Sequence, residues 1–235
     1  MAGRIIRPMP LYSRGTLIGR DLERARLGEA LGLPDGSSGM VVLSGDAGIG
    51  KTRLLAQLES DARAAGRLTA VGHCVGQAGS SLAYLPFVEL LGELDAALPD
   101  VIGQVLTHHP SLSHLLPARL TGPGTDLPAR GPADPGLVAA AVHACLTAVA
   151  AYQPALVMVE DVHWADFSSR DLVTLLFTRG FTTPLSLAVT YRSDDLHRRH
   201  PLHETQLGNL PDADRYLRRP SSRSQRRTRN RRQRR

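Results

Sequence analysis

A single lysine, Lys51, stands among 27 arginines in this chain of 235 residues. It lies in Gly45-Asp46-Ala47-Gly48-Ile49-Gly50-Lys51-Thr52, which satisfies the pattern G-x-x-x-x-G-K-T at every fixed position. These residue types suit the holding of a phosphate chain. Glycines let successive backbone N–H groups turn inward as an anion nest. The start of a helix near Lys51 adds its partial positive charge. Lys51 is a compact point charge able to reach β- and γ-phosphates, a task for which arginine's planar fork is the wrong shape. The Thr52 hydroxyl is suited to completing a Mg2+ shell.

Two further groups extend this chemistry. Leu156-Val157-Met158-Val159 is an apolar run that ends in Glu160 and Asp161. A strand of that kind puts carboxylates at its C-terminal end, where α/β sheets bind ligands. Glu160 there would hold Mg2+ through water, and Asp161 would polarise an attacking water. Thr190-Tyr191-Arg192 closes a later apolar run, and its hydroxyl and guanidinium would sense a γ-phosphate and stabilise charge during transfer. Taken alone, an acidic strand end is a common surface feature, and an arginine at a strand end is most often just solvated. The intact phosphate loop is what gives both of them weight.

The elements that must position these residues follow from pattern. Met40 to Ser44 reads as a short apolar strand, and Thr52 to Ala65 as a helix carrying Leu54, Leu55 and Leu58, so the loop lies between strand and helix as its chemistry requires. Before them, residues 16 to 33 read as an opening turn and a helix with Leu22, Ala25, Leu27 and Leu31 on one face. Arg67 to Cys74 is a second strand, Pro86 to Leu98 a helix, and weaker helical pattern continues to Leu116. Residues 117 to 136 are rich in Pro and Gly and read as an exposed loop. Gly136 to Ala151 is helical, and Ala155 to Val159 suits a buried parallel strand. Ser168 to Arg179 is a helix that its serine pair could cap, and Pro184 to Tyr191 is a strand.

Charge is segregated. Residues 215 to 235 hold 11 arginines and no acid, so the preceding 214 residues balance 17 basic against 22 acidic groups. The pI near 10.0 therefore belongs to the tail. From Pro220 onward there is no apolar residue, and such a segment is expected to remain disordered. Eleven guanidiniums would also bind nucleic acid weakly and without sequence preference. Cys74 and Cys145 lack metal-ligand spacing and read as buried thiols of a reduced, cytoplasmic compartment. Met1 to Pro10 lacks a signal-peptide apolar segment. The nearly apolar stretch Leu137 to Ala151 is too short to span a bilayer.

Taken together, Ile18-Gly19-Arg20 with Glu23, the loop from Gly45 to Leu55, the segment Glu160-Asp161-Val162-His163-Trp164-Ala165-Asp166 and the segment Thr190-Tyr191-Arg192-Ser193-Asp194-Asp195 resemble a known family. It is the AAA+-related ATPase domain of the signal-transduction ATPases with numerous domains, and in particular that of the large ATP-binding transcriptional regulators of the LuxR family. The resemblance covers about residues 16 to 202. It implies an α/β three-layer sandwich of the P-loop NTPase kind, with a parallel sheet in the order 5-1-4-3-2. It also implies ATP and Mg2+ as ligands, Gly19 and Arg20 near the adenine, and a sensor role for Thr190 and Arg192. Origin-recognition-type AAA+ ATPases share the same core motifs. His163, Trp164 and Asp166 match the family pattern without an evident chemical role, and Trp164 is expected to pack.

The family pattern stops near residue 202. Its lid and its C-terminal helix-turn-helix are not recognisable, nor is the fifth strand beside the Met40 strand. The change to an arginine-rich tail is the pattern that a frameshift or shortened reading frame would produce. A sheet edge left bare beside the Met40 strand would invite pairing with another chain. Hydrolysis without a lid is expected to be weak.

Overall fold

A computed structural model describes residues 19–75, 83–116 and 134–192, together with the backbone of 214–216. Residues 1–18, with Ile18 of the family pattern, most of the Pro/Gly-rich loop, the Ser193-Asp194-Asp195 segment and the arginine-rich tail after 216 lie outside the described residues.

The order is α1 (Asp21–Ala30), β1 (Met40–Gly45), α2 (Lys51–Ala64), β2 (Leu68–His73), α3 (Leu85–Ala97), α4 (Pro99–His108), a 3-10 helix (Pro110–Leu115), α5 (Pro135–Tyr152), β3 (Ala155–Glu160), a short 3-10 turn (Val162–Trp164), α6 (Phe167–Arg179), β4 (Leu185–Arg192) and β5 (Asp214–Tyr216). The strands form one sheet, β2-β3-β4-β1-β5, parallel throughout. The expected 5-1-4-3-2 order is therefore present, and so is the fifth strand. Its three residues pair Val41 with Asp214 and Leu43 with Tyr216. Asp-Arg-Tyr carries none of the apolar run that marks a buried strand, and the backbone ladder alone identifies it. The edge beside β1 is thus paired rather than bare.

Alternation of side chains sorts the sheet into two cores. Val41, Leu43, Leu156, Met158 and Ala188 meet Leu27, Leu31, Leu54, Leu55, Leu58 and Ala62 of α1 and α2. Val42, Val157, Val159, Leu187 and Val189 meet α3, α4, α5 and α6 on the other face. Helices on both faces of a parallel sheet make the three layers. In α1, Leu27 and the following Leu31 are fully buried, whereas Leu22 is 63% exposed and Ala25 is also exposed. The expected four-residue apolar face is thus only its last turn. Helix α5 is 18 residues long and by length and composition could cross a membrane. Here its buried stripe, from Val138 through Cys145 to Ala150, faces α4 and α6 in the core.

Strand β2 lies at the sheet's other edge, and α3 covers it. Gly72 admits this approach, because a Cβ there would collide with the Pro86 carbonyl. Two glutamates one helical turn apart on α3 then serve the outward amides two residues apart on β2. Val71 N donates to Glu93 Oε2 at 3.0 Å and His73 N to Glu89 Oε2 at 2.8 Å. Four helical residues rise about 6 Å and two strand residues about 6.6 Å, so the two repeats match. An edge that would otherwise offer bare amides is closed by carboxylates.

Candidate nucleotide site

The C-terminal ends of β1, β3 and β4 converge on one crevice. Leu43 pairs with Thr190 and Gly45 with Arg192, while Val159 pairs with Val189, which sets Glu160 level with Thr190. Residues far apart in the chain are thereby brought to one edge, as expected of a doubly wound sheet.

The phosphate loop leaves β1 at Gly45 and enters α2 at Lys51. Gly48 and Gly50 have φ of 73° and 93°, a backbone that glycine adopts freely. Gly50 is the N-cap of α2 and has no side chain with which to satisfy that helix's first amides. Helices α5 and α6, by contrast, are capped by Asp134 and Asp166. Asp46, Ala47, Gly48 and Ile49 form the partly exposed rim of the loop. The Lys51 side chain is buried beneath it, and its Nζ donates to Gly45 O at 2.7 Å and Asp46 O at 3.1 Å.

The acidic pair meets the loop directly. Thr52 Oγ1 donates to Glu160 Oε2 at 3.1 Å, although 108 residues separate them. Burial pushes the Glu160 carboxyl above the usual carboxylate range. The Thr52 hydrogen bond and His73 pull it back, and Asp161 and Glu59 add to the rise. Asp161 follows in the left-handed region, φ 57°, and its N–H is accepted by Thr190 Oγ1 at 2.9 Å. Thr190 is buried, so its hydroxyl fixes the Asp161 backbone. Arg192 is half-buried at the end of β4, beside the strand residue that opens the phosphate loop.

Gly19 and Arg20 stand just ahead of α1. Arg20 donates through Nη2 to Ile49 O of the phosphate loop, and its buried Nη1 has no hydrogen-bond partner among the described residues. A buried guanidinium nitrogen against the loop is consistent with a ligand contact on that side.

Among the described residues, no group of three or more His, Cys, Asp or Glu could hold a metal by itself. Mg2+ does not require one, because it is usually bound through one or two protein oxygens with phosphates and waters. The Thr52 hydroxyl and Glu160 carboxylate, 3.1 Å apart beside the loop, fit such a donor set. Both cysteines are buried, and burial pushes each thiol up to about 12, which leaves no ionised nucleophile.

Sequence reasoning passed over several residues here. Trp164 is 49% exposed rather than packed, because the 3-10 turn directs His163 inward instead. Asp166, and not the serine pair, caps α6, accepting from Ser169 N at 3.0 Å. His73 ends β2 in register with Glu160, with Nδ1 3.1 Å from Glu89 Oε2. A D-x-x-S spacing could have disclosed the cap, whereas only the strand register discloses His73.

The architecture has counterparts among known proteins. The Cdc6p structure from Pyrobaculum aerophilum superposes with a TM-score of 0.51 at 15% identity, over 88% of this chain and 48% of that one. An ORC1 structure from Aeropyrum pernix, determined in complex with DNA, aligns at a TM-score of 0.38 and 18% identity over 78% of this chain and 42% of that one. An uncharacterized protein of Rhizobium meliloti (strain 1021) is 32% identical over 188 residues, 68% of this chain and 17% of its own length. This chain thus spans a minor part of that curated relative. The AAA ATPase domain family matches residues 16–189, a span that takes in the phosphate loop, the acidic pair and the first five residues of β4, and stops just before Thr190. The chain belongs to the AAA ATPase domain family.

Proposed function

We propose that this chain is a Mg-ATP-binding switch domain of a large LuxR-type transcriptional regulator, in which slow hydrolysis gates the output. The observation that carries the nucleotide reading is the contact of Thr52 with Glu160, which joins phosphate loop and acidic pair at 3.1 Å. The regulator reading is supported by the motif series from Gly19-Arg20 through Glu160-Asp161 to Thr190 and Arg192. The likeness to Cdc6p supports the fold and does not favour origin recognition over a regulator.

In this reading Lys51 exchanges the Gly45 and Asp46 carbonyls for phosphate oxygens. Gly45 to Gly50 supply inward amides, and Gly19 and Arg20 border the base. Thr52 and Glu160 would hold Mg2+, which when bound would neutralise charge on the transferred phosphoryl group. Asp161, fixed by Thr190, orients the attacking water. Arg192 and Thr190 face the terminal phosphate. Titration calorimetry with ATP and Mg2+ tests the reading on wild type and Lys51→Ala. Loss of heat in the variant is expected, and equal affinity in the two proteins would refute the assignment. The arginine-rich tail is a separate electrostatic feature. Weak nucleic-acid binding through it would fall steeply with salt and disappear on deletion of residues 217 to 235.

A further inference from the structure

Among the described residues only two that are not glycine have positive φ, Asp161 at 57° and Tyr84 at 63°. Such residues persist when their surroundings over-determine them, and they gather at functional sites. Both are held in the same way. The Asp161 N–H is accepted by Thr190 Oγ1, and the Tyr84 N–H is accepted by Asp166 Oδ2 at 3.2 Å. The six residues from Asp161 to Asp166 therefore join the two strained points, with one strained residue at the start of this segment and the acceptor of the other at its end.

Asp166 does more than cap its own helix. One oxygen accepts from Ser169 N at 3.0 Å, and the other accepts from both the Ser169 hydroxyl and Tyr84 N. Tyr84 is the N-cap residue of α3, so a single carboxylate holds the starts of α6 and α3. Helix α3 returns to the same site from its other side, through Glu89 on His73, which is level with Glu160.

We propose that Asp166 is a positioning residue that ties the acidic-pair segment to the start of α3, so that the placement of Asp161 and of α3 are set together. The inference rests on the reading of Glu160 as a Mg2+ ligand and of Asp161 as the group that orients water. Its function is not that of an ordinary cap. A cap serves one helix, whereas this carboxylate serves two helices from the end of the segment that carries the acidic pair.

The test uses the full chain and the variant Asp166→Asn. Asparagine still caps α6 well, but the Ser169 and Tyr84 amides bond different oxygens of Asp166, and asparagine puts an NH2 donor in place of one of them. Asp166→Ala would strip both helices and is the variant at risk of unfolding. The chain's one tryptophan, Trp164, lies between Asp161 and Asp166 and reports on the segment by its emission. In Asp166→Asn, hydrogen exchange at Tyr84, Phe87 and Val88 is expected to quicken about tenfold while the first turn of α6 keeps its protection. Trp164 emission should shift at the same time. ATP affinity without Mg2+ should stay within about twofold, and the gain on adding Mg2+ should fall about tenfold. Unchanged α3 exchange and emission would overturn the proposal, as would equal loss of affinity with and without Mg2+. If wild type and Lys51→Ala alike bind no nucleotide, the ATP reading fails, and exchange and emission then decide the tie by themselves.

Discussion

The two ends of the sheet hold their buried cations in opposite ways. At the N-terminal end Arg67 is 5% exposed, and its guanidinium donates to Ser186 Oγ, Gly32 O and Ser37 O. Ser186 Oγ passes its own proton to Leu31 O at 2.6 Å, so the knot is closed on protein partners. At the C-terminal end, Lys51 rests on carbonyls of its own loop, Glu160 on Thr52, and an Arg20 nitrogen on nothing among the described residues. Both strained non-glycine residues also lie at that end. The Arg67 knot is built to stay closed. The other end holds its polar groups in bonds that a ligand can replace.

The largest expected effect lies at the closed end. Arg67→Met removes a buried cation together with its hydrogen bonds to Ser186 Oγ, Gly32 O and Ser37 O. A loss of about 3 kcal/mol is expected from hydrogen bonds to a charged group. Denaturant melts should show it, with ATP affinity at fixed temperature unaltered. Lys51→Met is the mirror case. Affinity should fall about 100-fold, or about 2.7 kcal/mol, while stability shifts by less than in Arg67→Met, because methionine keeps the buried stem and removes a buried charge. If Lys51→Met destabilised the fold as much as Arg67→Met, the contrast between the two ends would not hold.

The closed end was poorly visible in the sequence, and the open end largely visible. Lys51, Thr52, Glu160 and Thr190 were legible because phosphate chemistry demands particular residue types at particular spacings. The strands beneath them were legible because buried parallel strands are continuous apolar runs. Arg67 was not, since its partners are backbone carbonyls and a serine 119 residues away, none of which leaves a local pattern. Tyr84 is a residue type that says nothing of positive φ, and aspartate at 161 favours it only weakly. Strand β5 escaped for the same reason as Arg67, its pairing being wholly a matter of backbone.

A smaller effect of opposite sign is expected where α3 covers β2. Burial raises Glu93 from its ordinary value of 4.5, with Glu59 adding to the rise and the Val71 amide, Arg63 and His73 opposing it. The folded state therefore binds more protons than the unfolded state between 4.5 and the raised value. Stability falls as pH climbs through that window and is level above it. Glu93→Gln keeps an oxygen for Val71 N and removes a partly desolvated charge. The variant should melt higher at neutral pH and lose this part of the acid-side slope. A lower melting point would show that the charge, and not merely the acceptor, holds α3 to the edge.

Helix α1 connects the two ends, and its middle supplies the smallest effect. It starts at Arg20 on the phosphate loop, and the chain just beyond it, at Leu31 and Gly32, enters the Arg67 knot. Between them Arg24 grips Asp61 of α2 with two hydrogen bonds of 2.6 Å, but the two side chains are 42% and 26% exposed. A pair so open to water contributes about 0.5 kcal/mol, and less as salt rises. Arg24→Ala, Asp61→Ala and the double variant form a cycle whose coupling energy should be of that size and shrink in high salt. ATP affinity should stay constant across the cycle. The pair braces α1 against α2, whereas the contact that α1 makes with the site runs through Arg20 alone among the described hydrogen bonds. If breaking Arg24 from Asp61 weakened ATP binding as well, α1 would transmit strain along its length, and the boundary between a closed end and an exchangeable end would lie deeper in the fold than the hydrogen bonds place it.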